Sequence, residues 1–446
     1  MTGYGIVFVK EVVLKVSVAG SGYASYVIAA CLAEMGNQVC HINLTGKVPL
    51  DQLPFHEPGL TAMLTSNEAA RRLNFSSDMA SSIDSADVLF IALEHSESVD
   101  SKAIDLAGLA TEYANSDVIL VNSSPTSLGV TERMQSVASA SSHSHAVVCH
   151  PAFLKEGEAI DDFMRPDRII LGAEDYEARN ALVAMLKPFS RQQDRIAVMS
   201  VRDAELTRLA ASAMLASRIS LMNEIAGIAE QYGADIENVR RGIGADGRIG
   251  YSYLYPGVGY GGVCLPGDLQ ELAATAERQN ISPVLLKAVT ERNEMQQTWA
   301  FNTLRNTFGS LEGKRVAIWG LSFRPDTAEV SNSAAIVLIR QLLDAGASVS
   351  AYDPMAMKNA RVALESLGSS FSDEQVRFCD HQYDALTDAD ALVLMTEWKP
   401  FRQPDFNAIG KLLREQVIID GRNQYDAESL RQAGFVYCGV GRGTVA

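Results

Sequence analysis

One cysteine of this chain lies in a glycine-rich segment and is followed, at a helical spacing, by a carboxylate. The segment runs from Gly257 to Gly262 and continues through Cys264 and Pro266 to Asp268. Glycines carry no side chain, so a bulky ligand can approach both the backbone and the sulfur. Because Asp268 is four residues after Cys264, a helix opened by Pro266 would direct both side chains to one place. A thiol beside a carboxylate predicts covalent catalysis, and a glycine turn around a small buried cysteine is the structural alternative.

A second pattern, near the start of the chain, is typical of dinucleotide binding. An apolar run precedes Gly20 and Gly22, and a helical pattern then leads to a second apolar run that ends at Asn43. The glycines would let a pyrophosphate approach the helix N-terminus, whose amides and dipole favour anions. Asn43 stands where an Asp or Glu normally accepts the ribose 2′-hydroxyl, and Lys47 is near. We therefore predict NAD as cofactor, with NADP as an open alternative; a glycine turn in a Rossmann-like fold without dinucleotide is the structural alternative.

Composition limits the classes of protein to which the chain can belong. It has 446 residues, 47% of them hydrophobic, and its net charge of −16 argues against a nucleic-acid-binding surface. We expect two or three domains with ample core. Six scattered cysteines show neither a CxxC pair nor zinc spacing, which predicts a reducing cytoplasm and no metal site. No apolar run reaches the roughly 18 residues of a membrane span, so no membrane segment is expected.

Apolar runs alternate with helical patterns in two parts of the chain, which predicts two Rossmann-like doubly wound α/β domains. Between them, residues 203–232 form a long helical pattern, interpreted as a central connecting helix. We expect a dinucleotide-binding domain at residues 1–200, a central helical region with the cysteine segment at 201–310, and a second α/β domain at 311–446. The runs predicted as strands are residues 15–19, 38–43, 88–93, 118–121 and 169–171 in the first part, and 315–319, 347–353, 391–395 and 417–420 in the second.

The central helix carries polar residues that are candidates for chemistry. Arg208 and Ser212 are four residues apart and share a helix face, with Glu205 one turn earlier. An arginine in this setting is usually paired or solvated, and a serine is usually a packing choice. The two residues matter for catalysis only if their face meets the cysteine segment.

These residues, taken in order along the chain, resemble the motifs of the UDP-glucose/GDP-mannose dehydrogenase family. The resemblance extends from about residue 14 to residue 443, and it is specific because markers of both α/β domains occur together with the cysteine segment. Besides the Cys264 segment, the markers are Gly20-Ser21-Gly22-Tyr23, Phe55-His56-Glu57-Pro58-Gly59-Leu60, Phe153-Leu154-Lys155-Glu156-Gly157, Pro166-Asp167-Arg168, Asn223-Glu224-Ile225-Ala226, Arg248-Ile249-Gly250, Gly320-Leu321-Ser322-Phe323-Arg324-Pro325-Asp326-Thr327, Thr396-Glu397-Trp398 and Asp420-Gly421-Arg422-Asn423.

The resemblance implies NAD-dependent oxidation of a nucleotide sugar, with UDP-glucose expected, at C6 to the uronate. The cysteine would attack an aldehyde, and the thiohemiacetal would become a thioester that water hydrolyses. It further implies a cytoplasmic homodimer, formed through the long helix and acting in polysaccharide biosynthesis, and a C-terminal domain that binds the nucleotide sugar. By this resemblance the catalytic residues are Cys264, Asp268, Glu156, Arg208 and Ser212; the cofactor-binding residues are Gly20, Gly22, Tyr23, Asn43 and Ser124; and the substrate-binding residues are Arg248, Tyr260, Gly261, Phe323, Arg324 and Arg422.

Several positions depart from the family pattern. Arg208 stands where the family has a lysine; an arginine can stabilise an oxyanion, but its fixed charge makes it a poor acid. Ala152 replaces a glutamate that would assist the hydrolytic water. The other departures are Ser25 for a third glycine or alanine, Ser124 for a threonine, Ser212 for an asparagine, Gly267 for a lysine, Ser331 for an arginine, and His95-Ser96 for a Thr-Pro pair.

Two functions of different classes follow from this combination. The first is an active dehydrogenase with a modified site, supported by the retained Cys264 and Asp268. The second is a catalytically impaired paralogue that binds nucleotide sugar, supported by the departures at Ala152 and Ser212. An intermediate case is an enzyme whose first oxidation runs while thioester hydrolysis lags, because a general base typically contributes about 10²–10⁴-fold.

Overall fold

The computed structural model describes residues 14–46, 48–190, 195–368 and 371–442. The chain divides into two compact units between Arg208 and Leu209. Each unit contains one sheet with helices between its strands, so the predicted class, two doubly wound α/β domains, is confirmed. Lys47, expected near Asn43, lies outside the described residues.

The first unit is built on an eight-stranded sheet in the order β3-β2-β1-β4-β5-β6-β7-β8. Its central strands are continuous apolar runs because helices cover both faces, and all four residues of β4 are fully buried. The strands are β1 (Lys15–Ala19), β2 (Gln38–Ile42), β3 (Leu73–Ser76), β4 (Val88–Ile91), β5 (Ile119–Asn122), β6 (Ala146–Cys149), β7 (Ile169–Gly172) and β8 (Ile196–Met199).

One pairing in this sheet differs from the sequence prediction. Residues 169–171 were expected to join a parallel sheet, but β7 runs antiparallel to β6 and parallel to β8. A parallel neighbour is usually reached through a full crossover helix. The connection here carries only a six-residue helix, which packs on the first helix of the unit.

Within the described residues of this unit, seven helices connect the strands. The first begins directly after Gly22 and is buried from Ser25 to Ala33, which agrees with Ser25 being small enough for helix–strand packing. The helices are α1 (Tyr23–Glu34), α2 (Leu60–Ala69), α3 (Met79–Asp84), α4 (Val99–Tyr113), α5 (Val130–Ala138), α6 (Ala159–Met164) and α7 (Tyr176–Leu186), with a short 3₁₀ turn at Lys187–Ser190.

The predicted central helix is present as α8 (Val201–Tyr232), which has 32 residues. It ends where Gly233 adopts a left-handed conformation with φ of 77°, a common helix stop. Four further helices follow before the second sheet. They are α9 (Ile236–Gly244), α10 (Cys264–Arg278), α11 (Val284–Gln297) and α12 (Trp299–Phe308).

The second unit contains a six-stranded sheet in the order β11-β10-β9-β12-β13-β14, with all its described pairings parallel. The strand order reverses between β9 and β12, so the loops after these strands meet at one edge. The strands are β9 (Arg315–Trp319), β10 (Ser348–Tyr352), β11 (Val376–Phe378), β12 (Ala391–Leu394), β13 (Val417–Asp420) and β14 (Val436–Gly439); the helices are α13 (Ala334–Asp344), α14 (Met357–Ser366), α15 (Phe406–Leu412) and α16 (Ala427–Gln432), with 3₁₀ turns at Asp384–Leu386 and Lys399–Phe401.

Candidate active site

Cys264 is the first residue of α10, and Asp268 lies one turn later on the same face. The sequence predicted that the helix starts at Pro266. The helix begins two residues earlier, at Cys264. Pro266 is tolerated in the first turn because the N–H groups there have no partner within the helix. The helix carries the thiol and the carboxylate four residues apart, as the spacing predicted. A helix N-terminus also stabilises a thiolate, through its free amides and its dipole.

Exposure separates Cys264 from the other cysteines. All six lie in the described part of the chain, none is in a disulfide, and Cys264 is the one that is exposed. Burial raises the thiol pKa of the other five, to about 12 for Cys149 and about 11 for Cys438. The structural alternative of a small buried cysteine does not hold for Cys264, which has the access that a nucleophile needs.

Asp268 is held by the central helix. Its side chain is 5% exposed, and its Oδ2 accepts a hydrogen bond of 2.6 Å from the Ser212 hydroxyl. The long helix and the cysteine helix thus meet at two of the predicted catalytic residues. A buried carboxylate oriented by a hydroxyl is suited to acid–base work beside the thiol.

The glycines before Cys264 allow the segment to lie against the loops of the second sheet. A Cβ on Gly261 would overlap Phe323 and the Asn332 carbonyl, and Gly262, at φ of 78°, faces the Phe323 ring. The Gly262 amide donates to the Ser331 carbonyl at 2.8 Å. The structure therefore brings Gly261 and Phe323, both predicted to bind substrate, into direct contact.

Three amide side chains on α11 fix the backbone of this segment, and the sequence reasoning missed them. Asn293 accepts from the Tyr260 amide at 2.8 Å and donates to the Tyr260 carbonyl at 3.0 Å. Gln296 donates to the Gly257 carbonyl at 2.7 Å, and Gln297 to the Tyr260 carbonyl at 3.2 Å. These residues lie three and four positions apart on one helix face, and this spacing was the sequence feature that could have identified them.

The Tyr260 side chain is also enclosed. It is 7% exposed, and burial raises its pKa to about 12. The phenol therefore stays protonated at neutral pH and is a hydrogen-bond donor, which suits a neutral role beside a sugar rather than that of a base.

Arg422 lies at the carboxyl edge of the second sheet, in the turn after β13. Its Nε donates to the Met395 carbonyl at 2.7 Å and is 3.1 Å from Glu397 Oε2, and Nη2 donates to the Phe323 carbonyl at 3.3 Å. A Cβ on Gly257 would lie 3.0 Å from the carbonyl of Gly421. The loops after β9, β12 and β13 therefore meet the cysteine segment at one edge, and half-buried Arg324 follows Phe323 there.

Asp353, at the end of β10, organises this edge and was not predicted. It is 1% exposed, and one oxygen accepts from the amides of Leu321 and Ser322 at 2.7 and 3.0 Å and from the Trp398 indole at 3.1 Å. In a dinucleotide fold a carboxylate at this strand end binds a ribose. Here it holds the loop that leads to Phe323 instead.

Arg248 does not lie among the predicted site residues that surround the Cys264 segment. Its side chain is 89% exposed and forms a 2.6 Å ion pair with Asp246. Such an exposed pair contributes little to stability. Within one chain, the structure gives Arg248 no contact with the Cys264 segment among the described residues.

The first unit provides the expected dinucleotide turn. A Cβ on Gly20 would overlap the Ala92 carbonyl, and Gly22 is the N-cap of α1. Ser25 donates to the Gly22 carbonyl at 2.8 Å, which stiffens the turn. The backbone amides of a glycine-built helix start fit a pyrophosphate, so the residues present suit NAD.

The side chain of Asn43 already forms hydrogen bonds with neighbouring residues. Its Oδ1 accepts from the Ser21 hydroxyl at 3.1 Å and from the amide and hydroxyl of Thr45, both at 2.9 Å. Its Nδ2 donates to the Tyr26 hydroxyl at 2.7 Å. A carbonyl oxygen has two lone pairs, so a ribose hydroxyl has to displace one of these donors.

Glu156 lies in a loop held by a buried glutamate that the sequence reasoning did not assign a role. Glu57 is 7% exposed and accepts from the amides of Gly157 and Ala159 at 2.7 and 2.9 Å. The Tyr23 hydroxyl donates to the Leu154 carbonyl of the same loop at 3.3 Å. The loop of Glu156 and the predicted cofactor residue Tyr23 are therefore neighbours within the first unit.

Two other predicted residues bond to loops of the first sheet. Arg208 Nη2 donates to the Thr126 carbonyl at 2.7 Å. Ser124 Oγ donates to the Ile91 carbonyl at 2.9 Å and accepts from the Leu93 amide at 3.0 Å, so it joins the ends of β4 and β5. Both residues shape the carboxyl edge of the first sheet, where a dinucleotide binds in such folds.

Three family models match the chain in succession. They are described as the NAD binding, central and UDP binding domains of one family, and they match residues 14–190, 202–295 and 317–427. The chain belongs to the UDP-glucose/GDP-mannose dehydrogenase family. Membership confirms the resemblance, NAD as cofactor and a nucleotide-sugar dehydrogenase as the class of enzyme.

Relatives within the UDP-glucose/GDP-mannose dehydrogenase family match along almost the whole chain. A UDP-glucose 6-dehydrogenase of Pseudomonas aeruginosa is 39% identical and covers 96% of this chain and 98% of its own length. UDP-glucose 6-dehydrogenase TuaD of Bacillus subtilis is 34% identical, covering 97% and 94%. The structure of a UDP-glucose dehydrogenase from Pyrobaculum islandicum matches with a TM-score of 0.86 at 28% identity, covering 98% of this chain and all of its own.

Two other kinds of site are absent from the residues that the structure describes. No cluster of three or more histidine, cysteine, aspartate or glutamate side chains could hold a metal ion there. Among the described helices, none is long and apolar enough to span a membrane.

Proposed function

We propose that this protein oxidises C6 of UDP-glucose to the uronate with NAD, through a sugar bound covalently to Cys264. The observation that carries the proposal is the exposed thiol at the start of α10, one turn from Asp268 and in a segment that packs on Phe323. The UDP-glucose 6-dehydrogenases among the relatives support the choice of sugar nucleotide.

Cys264 bonds to the sugar in two successive intermediates of the proposed reaction. After the C6 alcohol has lost a hydride and a proton, the thiolate attacks the carbonyl carbon of the aldehyde and a thiohemiacetal forms. Loss of a second hydride and a proton gives the thioester, and water then breaks the C–S bond, releasing the carboxylate and restoring the thiol. NAD, when bound, supplies the hydride acceptor for both oxidations.

Asp268 is the residue to which we assign the proton steps around the thiol. It shares a helix face with Cys264, and the 2.6 Å bond from Ser212 holds its carboxylate in one orientation. We assign Ser212 this positioning role. Glu156 and Arg208 remain proposed catalytic residues, on the basis of the family resemblance.

Tyr260, Gly261, Phe323, Arg324 and Arg422 are the proposed substrate-binding residues of the chain. Their convergence at the carboxyl edge of the second sheet supports this assignment for Gly261, Phe323 and Arg422. We retain Arg248 as a substrate residue contributed across a dimer, because its exposed guanidinium is available to a second copy.

We also propose that the protein acts in the cytoplasm, as a homodimer, in polysaccharide biosynthesis. Free thiols at all six cysteines support a reducing compartment. On α8, Met214, Leu221 and Ile228 are spaced by seven residues and are 65, 58 and 62% exposed, which supports a helix-to-helix dimer contact.

The division of the chain at residues 200 and 310 is likewise a proposal. The order of the three family-model matches supports it, since they leave residues 191–201 and 296–316 between them. We assign the three parts to NAD binding, to the central helices with the cysteine segment, and to nucleotide-sugar binding.

A catalytically impaired paralogue is the second candidate. Half-buried Ala152 offers no carboxylate where the family resemblance implies a glutamate, and Ser212 offers one hydroxyl where it implies an amide. Such a paralogue would bind nucleotide sugar with little or no turnover. In the intermediate case thioester hydrolysis lags behind the first oxidation, because a general base contributes about 10²–10⁴-fold.

Counting cofactor reduced per sugar tests the proposal. Purified protein is mixed with UDP-glucose and NAD, with NADP in a parallel reaction, and absorbance is followed through burst and steady state. Two equivalents per sugar with continued turnover support the dehydrogenase, and Cys264→Ala is expected to abolish it. Turnover unchanged in Cys264→Ala contradicts the covalent mechanism.

The same experiment distinguishes the second candidate function from the active dehydrogenase. A burst that stalls, with the mass of the sugar nucleotide added at Cys264, identifies thioester hydrolysis as the impaired step. Binding of UDP-glucose without any reduction of NAD identifies a binding paralogue. Cys438→Ala is the matched control, because that thiol is buried and lies outside the cysteine segment.

A further inference from the structure

A carboxylate lies against the dinucleotide turn of the first unit. Glu94 is in the loop that follows β4, and its side chain is exposed. A Cβ built on Gly22 would overlap Cγ, Cδ and Oε1 of Glu94, so the carboxyl group lies directly over the Gly22 backbone. The space that a glycine normally leaves open for a ligand is therefore occupied by a charged side chain of the chain itself.

The position of this carboxylate coincides with the anion site of the fold. Strand order reverses between β1 and β4, and a dinucleotide binds in the crevice outside the carboxyl ends of such strands. Gly22 is the N-cap of α1, and this helix, which lies wholly within the described residues, has no acidic residue in its first turn. The backbone amides and the dipole at its start favour an anion at that place.

We propose that Glu94 competes with the cofactor for the anion site at Gly22 and thereby sets the affinity for NAD. The Glu94 carboxylate has to swing away before the pyrophosphate can lie on the turn. This inference rests on the NAD-binding part of the proposed function and goes beyond it by naming the residue that limits cofactor binding.

The size of the effect follows from the exposure of the residue. Glu94 is exposed and can rotate into solvent without unpacking the core, so the cost to NAD binding includes the interaction between the carboxylate and the helix start. A charge at a helix N-terminus is worth about 0.3–1 kcal/mol, which corresponds to roughly a two- to fivefold change in the dissociation constant. Removing the bulk as well as the charge extends the expected range to about tenfold.

Calorimetric titration of the full chain with NAD tests the proposal. Glu94→Gln removes the charge and keeps most of the volume, and Glu94→Ala removes both. We expect the dissociation constant to fall about two- to fivefold in Glu94→Gln and up to about tenfold in Glu94→Ala. Glu97→Gln, an exposed glutamate three residues along the same loop, is the matched control and is expected to bind as the parent does.

Fragments of the cofactor locate the effect. ADP-ribose, which contains the pyrophosphate, is expected to show the same gain as NAD, whereas adenosine is expected to show none. Unchanged or weaker NAD binding in Glu94→Ala overturns the proposal, as does an equal gain for adenosine. If the parent protein nevertheless turns over UDP-glucose with NAD, the proposed function stands and only the role of Glu94 fails.

Discussion

At the scale of single residues, the surroundings of each cysteine decide which of the six thiols can react. The chain has six thiols, and Cys264 differs from the others by its exposure and its place at a helix start. Burial raises the pKa of Cys149 to about 12, so that thiol stays protonated at neutral pH. Reactivity therefore follows from position, not from residue type.

Selective alkylation tests this difference. We expect one equivalent of iodoacetamide at neutral pH to modify Cys264 first, because the thiolate is the reacting form and the other thiols are buried or half-buried. Peptide mass spectrometry identifies the site. Cys264→Ser is expected to lose the fast label, while Cys40→Ser, at a half-buried thiol, keeps it; fast labelling at Cys40 contradicts the argument.

The second prediction at this scale concerns Asn43 and the preference for NAD over NADP. Asn43→Asp is expected to raise the ratio of kcat/KM for NAD over NADP by about tenfold or more, because a carboxylate there repels a 2′-phosphate. The Ser21 and Thr45 donors can still bond to the new carboxylate, so the turn is retained. Steady-state kinetics with both cofactors measures the ratio. Asn306→Asp, exposed in the other unit, is the control, and an unchanged ratio in Asn43→Asp removes Asn43 from cofactor selection.

At the scale of elements, buried polar side chains hold the loops that carry the predicted site residues. Glu57 binds the amides around Gly157, and Asn293 binds both backbone groups of Tyr260. Asp353 does the same for the loop before Phe323. Each of these residues is far along the chain from the loop it fixes, and leaving such buried groups unpaired would cost about 1–3 kcal/mol each.

Hydrogen exchange tests the role of Glu57. In Glu57→Gln the new NH₂ group faces an amide N–H, so at least one bond to the Glu156 loop is lost. We expect the amides of Gly157, Ala159 or Ile160 to exchange roughly 5- to 150-fold faster. Glu68→Gln, an exposed glutamate on α2, is the control. Unchanged protection of all three amides means that Glu57 does not hold the loop.

At the scale of the whole molecule, the exposed apolar face of α8 is the feature that a single chain leaves unexplained. Leu221 lies between Met214 and Ile228 on this face. If the proposed dimer forms there, Leu221→Glu buries an unpaired charge and is expected to convert the dimer to monomer at micromolar concentration. Light scattering after size exclusion measures the mass. Val362→Glu, at an exposed valine of α14, is expected to stay dimeric; a monomeric parent protein refutes the dimer.

The sequence by itself determined the architecture and singled out Cys264 as the candidate nucleophile. All nine strands predicted from apolar runs are present. A strand that is buried on both faces is a continuous apolar segment of the sequence, such as Val88–Ile91, and can therefore be recognised locally. Among the strands that were missed, β3 and β11 contain polar residues that interrupt the apolar pattern. The four residues of β8 are apolar, but they lie half-exposed or exposed in the last strand of the sheet. The spacing of Cys264 and Asp268 also fixed their common face, since helical periodicity is local.

Only the tertiary structure decided which distant residues support those groups. The antiparallel β7, the α11 amides beneath Tyr260, the solvated Arg248 and the Glu94 carboxyl over Gly22 all depend on contacts, or on their absence, between segments far apart in the chain. A local pattern carries no information on which loops meet, because the free energy of those contacts comes from packing and from hydrogen bonds made after the chain has folded. The proposed nucleophile is therefore readable from sequence, and the groups that we propose to position it or to compete with its cofactor are not.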